Sequence, residues 1–231
     1  MIEFAIKYAP LYLSGALIGL GLTVAAMTGA LAIGLLVALG RLSRRRWLRW
    51  CCSVYVAVFR GVPPLVLLYI VYFGLPAWAM NSGSDALVAV FSPLDNRLLA
   101  ATIAFSINAG AYTSEIIRAS ILSVHSEQME AARSIGMTYP TAMRRIILPQ
   151  ALRAAFPPFC NEFVIILKGT SLASVIGVTE LMRNAQMVAS ATFLNLEAYV
   201  LAAIFYVVMV TILQIGSSFV EARMNRGMAV P

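Results

Sequence analysis

The sequence predicts an all-α integral membrane protein with five transmembrane helices, and three observations carry that prediction. Charged residues make up only 12% of the 231-residue chain, while 61% of it is hydrophobic; soluble domains carry roughly 25% charged residues. The mean hydropathy of +0.85 leaves too little polar surface to cover a water-soluble globule. The charges that remain are grouped between apolar runs, each near the roughly 20 residues that a membrane-crossing helix needs.

Leu11 to Gly40 contains no charge and supplies the first span. The second lies within Cys51 to Ala79, interrupted in its first third by Arg60 and the pair Pro63-Pro64. Leu98 to Ser114 forms the third, Ala154 to Val178 the fourth despite Glu162 and Lys168, and Ala198 to Val220 the fifth. Met1 to Pro10 carries Glu3 and Lys7 and lacks a basic stretch with a small-residue cleavage site, so the first run is expected to be retained as a span. Neither a soluble repeat nor a Gly/Ser linker divides the chain, and a single membrane domain over residues 1–231 is expected.

The basic residues give the orientation. Arg41, Arg44, Arg45, Arg46 and Arg49 follow the first span; Arg118, Arg133, Arg144, Arg145 and Arg153 follow the third; Arg223 and Arg226 follow the fifth. The opposite side holds Lys7, Arg97 and Arg183, a bias of twelve to three. Loops rich in Lys and Arg stay cytoplasmic, which predicts an external N-terminus and a cytoplasmic C-terminus. Placed at the ends of apolar runs, the net charge of +7 reads as a topology signal, and nucleic acid is not an expected partner. Cys51, Cys52 and Cys160 form no disulfide framework, and the single histidine, His125, is far from all of them, so no metal site is expected.

The connection from Arg118 to Arg153 exceeds thirty residues, where compact proteins commonly use about 4–6. Ser126 can cap a helix carrying Glu127 and Glu130 in its first turn, and Gly136 is a natural left-handed stop. Thr138 can cap a second helix with Pro140 in its first turn, ending near Pro149. Two short helices around a glycine turn suit either an interfacial amphipathic hairpin or an element inserting into another protein.

Glu130-Ala131-Ala132, three residues, Gly136, nine residues, then Ile146, Leu148 and Pro149 resemble the EAA motif of ABC importer permeases. Arg60-Gly61-Val62-Pro63, Asn108 to Tyr112, Lys168 to Leu172 and Gly177 to Leu181 look like the polar amino-acid branch of that family, with Val62 and Gly169 departing from its usual residues. The resemblance spans nearly the whole chain. It implies a bacterial inner (cytoplasmic) membrane permease whose first loop helix sits in a cleft of a cytoplasmic ABC ATPase dimer. It also implies a second permease subunit, in a homodimer or heterodimer, and a periplasmic or extracellular amino-acid-binding protein. Glu130 and Gly136 carry the coupling role most directly. ATP-Mg belongs to the partner, because a phosphate loop needs Gly-x4-Gly-Lys-Ser/Thr and neither Lys7 nor Lys168 follows a glycine. No cofactor is expected in this chain.

Ionisable groups at membrane depth cost about 2.5–3.5 kcal/mol on insertion scales and usually face a cavity or a partner. Glu162 and Lys168, six positions apart, sit roughly 120° apart around an unbroken helix, so they are poorly placed to pair. Asn161 shares a face with Lys168, and Thr170, Ser171 and Ser174 continue the polar character. Asn108, Tyr112 and Glu115 form one stripe on the third span. Glu115 can pair with Arg118, with Arg60 as another possible partner. Asn108 and Tyr112 suit helix–helix hydrogen bonding and pore lining equally; Arg60, Glu115 and Lys168 suit structure or gating. Glu162 has no obvious partner on its own helix, and a carboxylate there suits the ammonium of an amino acid or a cationic side chain.

The chain is thus expected to be a transport subunit moving a polar or basic L-amino acid, Glu162 pointing to the basic class. The segment from Ala132 to Leu148 resembles cystine permeases, and glutamine or glutamate is the other alternative. An ion-coupled secondary transporter would show two repeated halves with broken helices, which five spans do not provide. An intramembrane enzyme lacks a His/Cys pair, a metal motif or an acid dyad.

Overall fold

The computed structural model describes residues 2–224; Arg226 of the expected basic tail lies outside them. The described residues fold into nine helices and no strand: α1 (Ile2–Leu42), α2 (Arg46–Gly61), α3 (Pro64–Asn81), α4 (Asp85–Asp95), α5 (Arg97–Leu122), α6 (Ser126–Ser134), α7 (Tyr139–Ile176), α8 (Leu181–Thr192) and α9 (Asn195–Met224). Among them α1, α3, α7 and α9 are long and apolar enough to cross a membrane, and α4 with α5, bent by 96° at Asn96, makes a fifth when counted as one span.

Three boundaries differ from the sequence reading. The second span divides at Val62-Pro63, so α2 is a separate helix and the membrane-length apolar piece begins at Pro64. The third continues past Ser114 through Glu115 and Arg118 to Leu122. The second loop helix does not end near Pro149, and α7 runs on from the loop through the fourth span. A π-turn over Met143–Ile147 explains this continuity, because it closes with Leu148 N–H on the Met143 carbonyl. The wider turn shifts the hydrogen-bond ladder just before Pro149 removes a donor from it. The same device recurs in α3, where a π-turn over Ile70–Gly74 precedes Leu75-Pro76.

Helix α1 packs along α5 through small residues. Ala26, Ala30 and Ala38 are fully buried, and the Ser106 hydroxyl donates to the Ala26 carbonyl across 3.1 Å. At the end of the bundle away from the loop, α8 ties α1 to α9. The Asn184 amide donates to the Leu11 carbonyl at 2.7 Å, and the Tyr12 hydroxyl donates to Ala198 at 3.0 Å. Glu180, fully buried, accepts from Met182 and Arg183 N–H at the start of α8 and from the Tyr206 hydroxyl of α9. Burial pushes its carboxyl above the ordinary range, against the pull of those three donors.

The break between α2 and α3 follows from elementary chemistry. In a continuous helix the carbonyls of Phe59 and Arg60 would accept from residues 63 and 64, but both are prolines and have no N–H. Unpaired backbone groups are costly in an apolar medium. Asn108 and Tyr112, one turn apart on α5, provide the missing donors: the Asn108 amide reaches the Phe59 carbonyl at 2.8 Å, and the Tyr112 hydroxyl reaches Arg60 at 3.4 Å.

Two stability predictions follow from these contacts, both read as thermal midpoints of the purified chain. A methyl group at Gly15 would sit 2.8 Å from the Leu181 backbone nitrogen and 2.9 Å from the Glu180 carbonyl carbon, whereas nothing lies within 4 Å of one at Gly21. Gly15→Ala should therefore destabilise by about 1–3 kcal/mol, while Gly21→Ala leaves the midpoint unchanged or slightly raised. Asn108→Ala should cost about 1–3 kcal/mol by stranding a buried carbonyl. The cost should shrink in a Pro63→Ala background, where a backbone N–H returns; equal costs in both backgrounds would disprove the capping role.

Candidate functional site

Helices α3, α5 and α7 enclose a cavity of about 270 Å³. Pro64, the first residue of α3, forms one edge, and Phe105, Ile165 and Ile166 supply apolar wall. Its polar groups are Asn108, Tyr112 and Glu162. Glu162 is 6% exposed and makes no side-chain hydrogen bond or ion pair among the described residues. The Arg60 guanidinium lies 5.2 Å from the centre of the Tyr112 ring, a cation–π arrangement that holds the tyrosine at the broken end of α2. Asn108 and Tyr112 make the helix-to-helix hydrogen bonds that their sequence positions suggested. They cap the helix break, and the same side chains line the cavity.

The other residues singled out from sequence lie elsewhere. Asn161 and Lys168 are exposed on the outer face of α7, consistent with the angular separation from Glu162. Thr170 is buried and donates to the Leu167 carbonyl at 2.7 Å. Ser171 donates to Lys168 at 2.8 Å, so both hydroxyls serve the backbone of α7. Glu115 pairs with Arg118 at 2.9 Å as expected. Its second partner is Arg41 at the end of α1 and not Arg60, which is engaged with Tyr112. Two guanidiniums on one carboxylate join α1 to α5 just before the loop.

The loop forms a helical hairpin. Gly136 has φ of +86°; its N–H donates to the Arg133 carbonyl, and Met137 N–H reaches back to Ala132 at 3.1 Å. This is the left-handed stop expected for glycine. The expected Ser126 cap is corrected: His125 is the capping residue, Ser126 is the first helical residue, and no side chain caps the end. Thr138 does precede the second helix, but its hydroxyl meets that of Thr141 at 2.9 Å. Within the motif Ala132 is 2% exposed and packs inward, whereas Glu130, Ala131 and Gly136 face outward. Ile146 is half-buried, and Leu148 and Pro149 are exposed on the returning helix.

Ile135, 74% exposed at the tip of the hairpin, escaped the sequence reading. Its signal was a lone apolar residue following a polar helix. Glu180 also escaped, although it belongs to the Gly177 to Leu181 stretch. Helix α8 carried no sequence expectation.

Residues 30–226 match the family model described as "Binding-protein-dependent transport system inner membrane component". The chain is 40% identical over 224 residues to the L-cystine transport system permease protein TcyB of Bacillus subtilis (strain 168), covering 96% of this chain and 90% of that one. It is 37% identical to the probable glutamine ABC transporter permease protein GlnM of the same organism, covering 94% of each. Among solved structures, a chain from the "Crystal structure of an amino acid ABC transporter with histidines" superposes with a TM-score of 0.85 at 37% identity, over 96% of this chain and 98% of that one. An inward-facing MetNI methionine ABC transporter shares the fold, with a TM-score of 0.75 at 19% identity over 95% and 99% of the two chains. With its bundle, its looped-out helical hairpin and a family match over most of its length, the chain belongs to the inner-membrane components of binding-protein-dependent transport systems, as a permease subunit of the ABC type.

Proposed function

We propose that this chain is the permease of an importer that moves a polar L-amino acid across the bacterial inner membrane, with a basic amino acid as the preferred cargo. The observation that carries the reading is Glu162, a buried carboxylate without a protein partner on the wall of a cavity that also holds Asn108 and Tyr112. Burying an unpaired charge is costly, and ionisable groups at membrane depth usually face a cavity or a partner. An amino-acid ammonium or a cationic side chain provides one. The first turn of α3 begins beside the cavity at Pro64, and a helix N-terminus suits the negative end of a zwitterion. The likeness to an amino acid ABC transporter solved with histidines supports a basic cargo. A second reading, cystine or glutamine, draws support from the names of TcyB and GlnM.

In this proposal a cytoplasmic ATPase dimer binds and hydrolyses ATP-Mg, and the hairpin bearing Glu130, Ala131 and Gly136 docks on it. A second permease subunit completes the translocation path, and an external binding protein delivers the cargo. Exposure of Glu130, Ala131, Ile135 and Gly136 at one apex supports the docking role. Helix α7 supports the coupling role, because it starts at the hairpin and carries Glu162.

Glu162→Gln in the assembled transporter should weaken binding of its basic amino acid about tenfold or more, as expected for losing a charge-assisted hydrogen bond. A loss shared by glutamine and cystine would assign the contact to the α-ammonium, and a loss confined to arginine, lysine or histidine would assign it to the side chain. Unchanged affinity for every amino acid, with normal folding, would remove Glu162 from the substrate site. Uptake into vesicles should require ATP and the ATPase. Uptake that persisted without them, driven by an ion gradient, would overturn the importer reading.

A further inference from the structure

The corner between α1 and α2 is strongly basic. Arg44, Arg45, Arg46 and Arg49 are all exposed, and none joins an ion pair among the described residues. No Asp or Glu occurs between Glu3 and Asp85 to neutralise them within that stretch. The first turn of α2 contains no acid, and Arg45 before it offers no side-chain cap, so the helix dipole adds to the positive field. Arg41 reaches Glu115, which places this corner at the same end of the bundle as the loop hairpin.

Helix α2 has two apolar stripes, and only one faces the protein. The inner stripe runs through Leu48, Cys52, Tyr55, Val56 and Phe59; Val56 is 5% exposed, and the Tyr55 hydroxyl donates to the Ile107 carbonyl of α5 at 2.6 Å. The outer stripe runs through Trp47, Trp50, Val54 and Val58, which are 61%, 69%, 41% and 47% exposed. At 1.5 Å per residue it extends roughly 16 Å, close to half of a hydrocarbon core about 30 Å thick. The tryptophans stand at the arginine end, where indoles favour the headgroup boundary.

We infer that this corner is a binding site for an anionic phospholipid, with Arg44, Arg45, Arg46 and Arg49 holding the headgroup and an acyl chain lying along Trp47, Trp50, Val54 and Val58. Guanidinium groups suit a phosphate better than ammonium groups because they donate in pairs from a rigid plane. Clusters of four to eight basic residues beside a membrane helix attract anionic lipid. The orientation rule accounts for basic residues in this loop. The exposed tryptophan and valine stripe that continues from them for one leaflet adds the apolar surface along which an acyl chain can lie. The occupied helix is also the one whose final carbonyls Asn108 and Tyr112 hold, so the lipid would steady one edge of the cavity.

The test uses the full-length chain with Trp78→Phe, which leaves Trp47 and Trp50 as its fluorophores. It is reconstituted in vesicles of phosphatidylcholine carrying increasing fractions of brominated phosphatidylglycerol or brominated phosphatidylcholine. Brominated phosphatidylglycerol should reach half-maximal quenching at about a fivefold to tenfold lower mole fraction. In Arg45→Gln/Arg46→Gln the preference should fall below about twofold, and in Arg45→Lys/Arg46→Lys it should persist in weakened form. Equal quenching by the two lipids in the parent chain would overturn the proposal without reference to any variant. Absence of quenching by either would also overturn it and would mean that protein, such as a second copy of the chain, covers the stripe. A preference untouched by the Gln double variant would refute the assignment to these arginines.

Discussion

The fold depends on one constraint: in a bilayer, backbone donors and acceptors have no water to fall back on. Pro63 and Pro64 violate that constraint locally by removing two donors from one helix. The α5 side of the cavity answers that loss. Asn108 and Tyr112 turn their side chains to the stranded carbonyls of Phe59 and Arg60, which fixes α2 against α5. Arg60 then rests on the Tyr112 ring, and Pro64 becomes the first residue of α3 and an edge of the cavity. A polar site inside an apolar bundle thus rests on a repaired helix break.

Other prolines are absorbed differently, and the difference has mechanical consequences. Pro76 and Pro149 each follow a π-turn, which widens the helix before the missing donor and keeps the rod continuous. Because α7 continues past Pro149, Tyr139 at the hairpin and Glu162 at the cavity belong to one helix. They are separated by roughly 35 Å of rise. Under the proposed coupling, a push on the hairpin would reach the cavity along this helix, with the π-turn and Pro157-Pro158 as its compliant points. The Glu115 carboxylate, held by Arg41 and Arg118, links the same end of the bundle to α1. Two routes, one through α7 and one through α5 and α1, leave the loop region.

What was legible in the sequence was local. Apolar runs of membrane length, the glycine stop at 136, the EAA spacing and the isolation of Glu162 depend on residues close together in the chain or on the lack of any nearby partner. What was not legible required distant residues. Arg41 meets Glu115 across 74 positions, and sequence reasoning offered the nearer-seeming Arg60 instead. Asn184 meets Leu11 across 173 positions, which is why α8 carried no signal of its importance. Pro149 read as a stop because a proline normally ends a helix, and the compensating π-turn has no side-chain signature. For Asn108 and Tyr112 the sequence presented gluing and pore lining as alternatives; the bonds to the Phe59 and Arg60 carbonyls show the gluing, and their place on the cavity wall needed the distant α2 to be seen.

The distribution of charge gives the last step. Glu162 and Lys168 lie on the same helix but meet opposite conditions: Glu162 is enclosed by α3 and α5, whereas Lys168 is exposed with Asn161 on the outer face of α7. The lysine can reach towards the membrane boundary along its flexible stem. Asn161 has no such reach, and a polar amide left facing hydrocarbon is unfavourable. Polar side chains at this depth commonly bond across a helix–helix interface. In the proposed assembly, the second permease subunit would cover this face of α7 beside the cavity. The cavity wall that the single chain leaves thin at Ile165, which is 49% exposed, would then be closed by the partner. On this view Glu162 is buried by its own subunit, and the path it serves is completed by two.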